Sequence, residues 1–105
     1  MRWKIVVHQK ALEEIDNLPV EMRAKLARLL EIIQSVGPLG LCEPYAKSLG
    51  QKLWEIRLRG KDGIARVIYV ALSNQTVGIL HAFIKKTQKT PKQALDCAKK
   101  RLKEL

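Results

Sequence analysis

Apolar residues recur at helical spacing through the N-terminal part of the chain and at every second position through its middle, so the two parts predict different elements. Trp3-Lys4-Ile5-Val6-Val7 is a short β-rich opening and predicts a first strand. Ala11, Leu12, Ile15 and Leu18 then fall on one helical face, and Pro19 separates that helix from the next. Met22, Leu26, Leu29, Ile33 and Val36 form the stripe of a second amphipathic helix, which Gly37-Pro38 ends. Residues 8–36 therefore read as an α-hairpin whose role is packing, and 37–46 as a loop. From Leu53 the period changes to two. Trp54, Ile56 and Leu58 alternate with Glu55, Arg57 and Arg59, which predicts a strand with one buried face. Gly60-Lys61-Asp62-Gly63 reads as a hairpin loop, Ile64–Leu72 as the return strand and Ser73-Asn74-Gln75 as a turn. Thr76–Ile84 is apolar on both faces and is expected to be a central strand. Thr90-Pro91-Lys92-Gln93 has the spacing of a capping box opening a last helix, with Leu95, Ala98, Leu102 and Leu105 as its stripe. The order β-α-α-β-β-β-α predicts an α+β fold rather than an alternating α/β one.

At 105 residues the chain is expected to be one domain, 1–105, with a single modest core. Its longest apolar run, Val77–Ile84, falls well short of the roughly 18–20 residues a bilayer span needs, so no membrane partner is expected. Charge returns at Lys4 before any signal-peptide core develops. Cys42 and Cys97 show no metal-ligand spacing, which predicts neither a disulfide framework nor a metal, and a cytoplasmic location. The charge distribution adds more. Residues 1–46 hold six basic and six acidic groups, whereas 47–105 hold fourteen basic and four acidic, so the net +10 belongs to the C-terminal part. That asymmetry points to a polyanionic partner, nucleic acid or an acidic protein, against the alternative of a solvated basic face.

Centring the hairpin between Lys61 and Asp62 makes Arg57 face Arg66, while Trp54, Ile56 and Leu58 face Tyr69, Val67 and Ala65 on the other side. Directly opposed like charges destabilise a sheet. A bound phosphate removes that cost, as two guanidiniums suit bidentate contact; so does Glu55, diagonal to Arg66, as a surface ion pair. Lys85, Lys86 and Lys89 leave the apolar strand just before a helix N-terminus, an arrangement that suits an anion or a merely solvated connector. His81 lies in the same strand, placed by simple alternation with Val77, Ile79 and Phe83, either as a core histidine or as a proton carrier. His8 reads as a local turn residue, and Tyr45 as a side chain able to pack or to stack on a base. Arg59 and Lys61 extend the basic hairpin. Glycine-rich phosphate loops, nucleophile triads and paired catalytic carboxylates are all missing from the sequence, and no small-molecule cofactor is expected.

Three stretches together, Lys47-Ser48-Leu49-Gly50 with Leu53–Arg57, Ala65–Tyr69, and Leu80-His81-Ala82-Phe83-Ile84-Lys85-Lys86-Thr87-Gln88-Lys89-Thr90-Pro91, resemble the RelE/ParE toxin superfamily, most of all its phage-derived, HigB-like branch. The resemblance spans nearly the whole chain. It implies a small, mainly antiparallel sheet wrapped by a helical hairpin and a C-terminal helix. It also implies the toxin of a type II toxin–antitoxin pair, an endoribonuclease that cuts mRNA on the translating ribosome. The RNA's own 2′-OH would be the nucleophile and no metal would take part. Arg57 and Arg66 match the basic positions of the family's central strands, and Lys85 and Lys86 fall where it carries another basic residue. Such chemistry needs cations on the phosphate and groups to move two protons. A cognate antitoxin, usually a helix-turn-helix protein in this branch, is implied as partner, along with ribosome and mRNA.

Two departures stand out. Glu55 replaces a basic residue of RelE-type members, and the C-terminal helix holds no tyrosine. Either proton transfer then falls to His81, Glu55 or a lysine, or activity is weaker. Two other readings stay open at this point: a ParE-type inhibitor of DNA gyrase, and a non-enzymatic nucleic-acid-binding module or decayed toxin.

Overall fold

A computed structural model describes residues 2–41, 45–61, 63–85 and 91–105. Strand β1 (Lys4–Val7) leads into helices α1 (Gln9–Asp16) and α2 (Val20–Val36). Strands β2 (Ala46–Gly50), β3 (Leu53–Gly60), β4 (Gly63–Leu72) and β5 (Thr76–Lys85) follow, and helix α3 (Lys92–Leu102) closes the chain. The sheet order is β1-β5-β4-β3-β2, with β1 parallel to β5 and every other pair antiparallel. The α+β class and the order of the expected elements hold. Strand β5 is interior as its apolar faces require, although β4 is the middle strand.

Strand β2 was not visible in the hydrophobic pattern. Lys47, Ser48 and Gly50 are exposed and the ladder shifts between Ser48 and Gly50, so this edge strand carries no clean alternation. Its turn gives no warning either. Gln51 and Lys52 both take positive φ, 54° and 69°, where a two-residue hairpin loop ordinarily advertises itself with Asn-Gly. The β3–β4 register is as expected: Arg57 faces Arg66, Trp54 faces Tyr69, Ile56 faces Val67 and Leu58 faces Ala65.

Two apolar clusters sit on opposite faces of the sheet. The larger joins Met22, Leu26 and Ile33 of α2 to Ile56, Leu58, Val67, Tyr69, Val77 and Ile79. The smaller joins Ala94 and Ala98 of α3 to Leu53, Ile68, Val70 and Leu80. Strand β3 is thus covered on both faces, and the expectation of one buried face is corrected: Glu55 is completely buried. Alternation cannot reveal this, because a carboxylate buried in ion pairs with arginines reads as solvent-facing in the sequence.

The capping-box expectation falls on Thr90, which lies outside the described residues; helix α3 itself begins at Lys92, directly after Pro91. His8, read as a turn residue, caps α1 instead. Its Nδ1 accepts from the Lys10 backbone N–H at 3.1 Å, and its Nε2 lies 2.6 Å from Glu104 beyond α3.

Candidate functional site

On the face of the sheet that carries α3, ladder pairing builds rows of side chains. One row runs Glu55–Ile68–His81, the next Arg57–Arg66–Phe83, and the next Arg59–Ile64–Lys85. The structure therefore brings Arg57, Arg66 and Lys85 to one face, with Arg59 beside them. Glu55 binds the opposed arginines together. Its Oε2 accepts from Arg66 Nη1 at 2.6 Å and from Arg57 Nε at 3.2 Å. This is a buried ion pair, not the surface pair the sequence offered as an alternative. The Arg66 side chain is 1% exposed and the Arg57 side chain 20%, so Arg57 is the member of the pair with its edge in solvent. Two guanidiniums share this carboxylate, and Arg57, with its edge in solvent, is the one a phosphate can reach.

His81 is placed differently from the simple alternation. A bulge in β5, with Leu80 as the extra residue against the Ile68–Tyr69 step of β4, sets Ile68 opposite His81 and Tyr69 opposite Ile79. The extra residue turns His81 away from Val77 and Ile79 and onto the face of Phe83, whose ring it stacks on at 4.9 Å. Its Nδ1 lies 3.0 Å from Glu14 Oε1 and 3.3 Å from Arg101 Nη1. Strand β1 stops at Val7 opposite Ile79, so β5 has a bare edge beyond it. Glu14 of α1 accepts the Ala82 N–H there at 3.1 Å, and Arg101 of α3 donates to the Leu80 carbonyl at 3.0 Å. Arg101 also grips Glu14 through both terminal nitrogens, at 2.7 and 3.0 Å. Burial pushes the Glu14 carboxyl upward, but donors on Arg101, His81 and Ala82 outweigh it and hold it below the usual carboxylate range. Neither Glu14 nor Arg101 stood out in the sequence: Glu14 lies on a hairpin read as packing alone, and the last helix is read from its apolar stripe.

A second concavity opens where β2 ends. Ala46 faces Ile56, and the Tyr45 carbonyl accepts the Arg57 N–H at 2.8 Å, so among the described residues β3 beyond Arg57 has no neighbouring strand on that side. The groove left there holds about 700 Å³ between β3 and α2. Arg57, Arg59 and Tyr45 line it together with Lys25 and Arg28 of α2, over a floor that includes Leu29 and Leu58. Lys25 Nζ caps the Arg59 carbonyl at 2.6 Å. Lys61 stands apart at the hairpin tip, its N–H bonded to Glu21 at 3.2 Å. Lys86 and Lys89 lie outside the described residues.

The family described as phage-derived protein Gp49-like (DUF891) matches residues 13–103. The chain belongs to the Gp49-like family. Its fold is also that of RelE. A doubly substituted E. coli toxin RelE in the free state superposes with a TM-score of 0.71, at 17% identity, over 97% of this chain and 99% of that one. The archaeal RelE of a RelE–RelB complex from Pyrococcus horikoshii gives a TM-score of 0.61 at 18% identity, over 85% of this chain and 100% of that one. Among curated protein sequences, none matches. Among the described residues of this Gp49-like chain, cations converge on the sheet face carrying α3 and in the groove beside β3.

Proposed function

We propose that the chain is the toxin of a toxin–antitoxin pair and cuts mRNA on the ribosome. The observation that carries this reading is the Arg57–Glu55–Arg66 arrangement on a face it shares with Lys85. The RelE fold and the Gp49-like family support it. In this reading the 2′-oxygen attacks the adjacent phosphorus, the bond to the 5′-oxygen breaks, and a 2′,3′-cyclic phosphate and a free 5′-hydroxyl result. Arg57 and Lys85 stabilise the charge that gathers on the phosphate, with Lys86 completing the set. Arg66 acts by holding Glu55, and so Arg57, in place. Glu55 is committed to two arginines and makes a poor base. His81, oriented by Glu14 on the same face, takes the 2′-OH proton, and a lysine or a solvent molecule supplies the proton to the 5′-oxygen.

An antitoxin is the second partner. The archaeal relative was solved bound to RelB, and the basic face here suits a protein with an acidic surface. Primer extension on an mRNA translated by purified ribosomes tests the nuclease reading. Discrete cuts are expected with the native chain, reduced about 100-fold or more in Arg57→Ala. Arg66→Lys keeps the buried charge and serves as the folded partner variant. No cuts from a folded native chain refute the reading, and a gyrase supercoiling assay on the same preparation then asks for the ParE-type activity.

A further inference from the structure

The groove beside β3 gathers charge that the sequence keeps apart. Lys25 and Arg28 sit three residues apart on α2, in the half of the chain whose net charge is zero, while Arg57 and Arg59 belong to the basic half. Folding sets all four on one concavity, and no carboxylate lines it among the described residues. Tyr45 stands at its side, 54% exposed, and Leu29 and Leu58 supply an apolar floor. An exposed aromatic ring beside an apolar surface, rimmed by guanidiniums, is what an unpaired base and its flanking phosphates require. A groove for an acidic peptide needs the cations but has no particular use for a protruding ring.

We infer that this groove binds single-stranded RNA, one base stacking on Tyr45 while Arg28, Arg59 and Lys25 hold the phosphates on either side. The inference rests on RNA being the substrate and adds a second contact region to it. The groove opens at the edge of the α3-bearing face, and Arg57 and Arg59 join the two: the ladder puts both on that face, where Arg57 Nε is tied to Glu55, and both line the groove. A strand held in the groove thereby delivers a neighbouring phosphodiester to the cutting face. Substitutions in α2, remote from the reacting atoms, are then expected to weaken RNA binding.

Fluorescence anisotropy of end-labelled hexauridylate with the purified chain, without ribosomes, tests this directly. Arg28→Ala and Tyr45→Ala are each expected to weaken binding about fivefold or more, and Tyr45→Phe to restore it. Arg28→Ala should also lower the slope of log affinity against log salt by about 0.7, the value for one phosphate on a single strand. Lys103→Ala removes an exposed charge elsewhere and should change binding less than twofold. Arg28 and Tyr45 are both exposed, so their variants should melt like the native chain. Equal binding by all variants overturns the inference, as does displacement of the labelled RNA by hexaglutamate at the concentration where unlabelled hexauridylate displaces it. A chain that binds through the groove but cuts nothing upholds the groove and refutes only the nuclease reading. Ribosomal cuts with unchanged hexauridylate affinity in every variant do the reverse.

Discussion

Glu55 and Arg66 form the most consequential pair in the chain because neither can reach water. Their side chains are 0% and 1% exposed, and 2.6 Å separates the charged atoms. Removing one partner breaks a buried ion pair, which typically costs about 3–5 kcal/mol, whereas replacing both by apolar residues is often close to neutral. Arg66→Met is therefore expected to lower the urea midpoint strongly, and Glu55→Met together with Arg66→Met to recover most of the loss. Equal destabilisation by the single and double variants would contradict a tightly coupled pair. For the function the consequence is practical. Loss of toxicity in Arg66→Ala is uninformative unless the variant is shown to be folded, whereas Arg57 has an edge in solvent and is the cleaner probe. Hairpin arithmetic alone predicts the opposition of Arg57 and Arg66. It does not predict the burial of Arg66, because a charged residue alternating with apolar ones reads as solvent-facing.

Among the elements, α3 is the one whose attachment is mainly polar at its C-terminal end. Arg101 binds Glu14 and the Leu80 carbonyl, and Glu104 just beyond the helix meets His8 at the start of α1. Ala94 and Ala98 are its fully buried apolar residues, with Leu95 and Leu102 partly buried against the same cluster. Glu14 is the pivot, and its acidity sets the sign of the pH dependence. Its carboxyl is held below the ordinary value of 4.5, so its stabilising effect is complete above the unfolded-state value and is lost as pH falls through the folded one. Glu14→Gln is accordingly expected to be less stable than the native chain at pH 6. That difference should shrink by pH 3, as urea midpoints at the two values would show. A constant difference would mean that shape rather than charge holds the clamp. Helical periodicity located α1 and α3 correctly but was silent on this clamp. Glu14 and Arg101 are 87 residues apart, and what brings them together is the early end of β1, which leaves backbone groups on β5 in need of partners.

At the scale of the molecule, the net charge of +10 has opposite consequences for folding and for binding. Like charges on the folded surface repel one another, and salt relieves that repulsion within a screening length of about 8–10 Å at 0.10–0.15 M. Binding a polyanion draws on the same field, and salt weakens it in proportion to the phosphates engaged. Counting charges along the chain located the excess in residues 47–105 but missed Lys25 and Arg28. Acidic neighbours in sequence cancel them in the count, yet Glu21 turns to the Lys61 N–H at the hairpin tip and does not line the groove. The charge that matters to a ligand is thus sorted by the fold, not by the half of the chain it comes from. Raising sodium chloride from 50 to 300 mM should therefore raise the melting temperature by a few degrees while lowering hexauridylate affinity. The affinity should fall with a log–log slope of about −1.4 to −2 if two or three phosphates are held. Differential scanning fluorimetry and anisotropy on one preparation read both effects. A melting temperature that falls with salt would mean that attractive ion pairs, led by the Glu55 and Glu14 clusters, outweigh the surface repulsion. An affinity insensitive to salt would mean that the basic surface is not what meets the RNA.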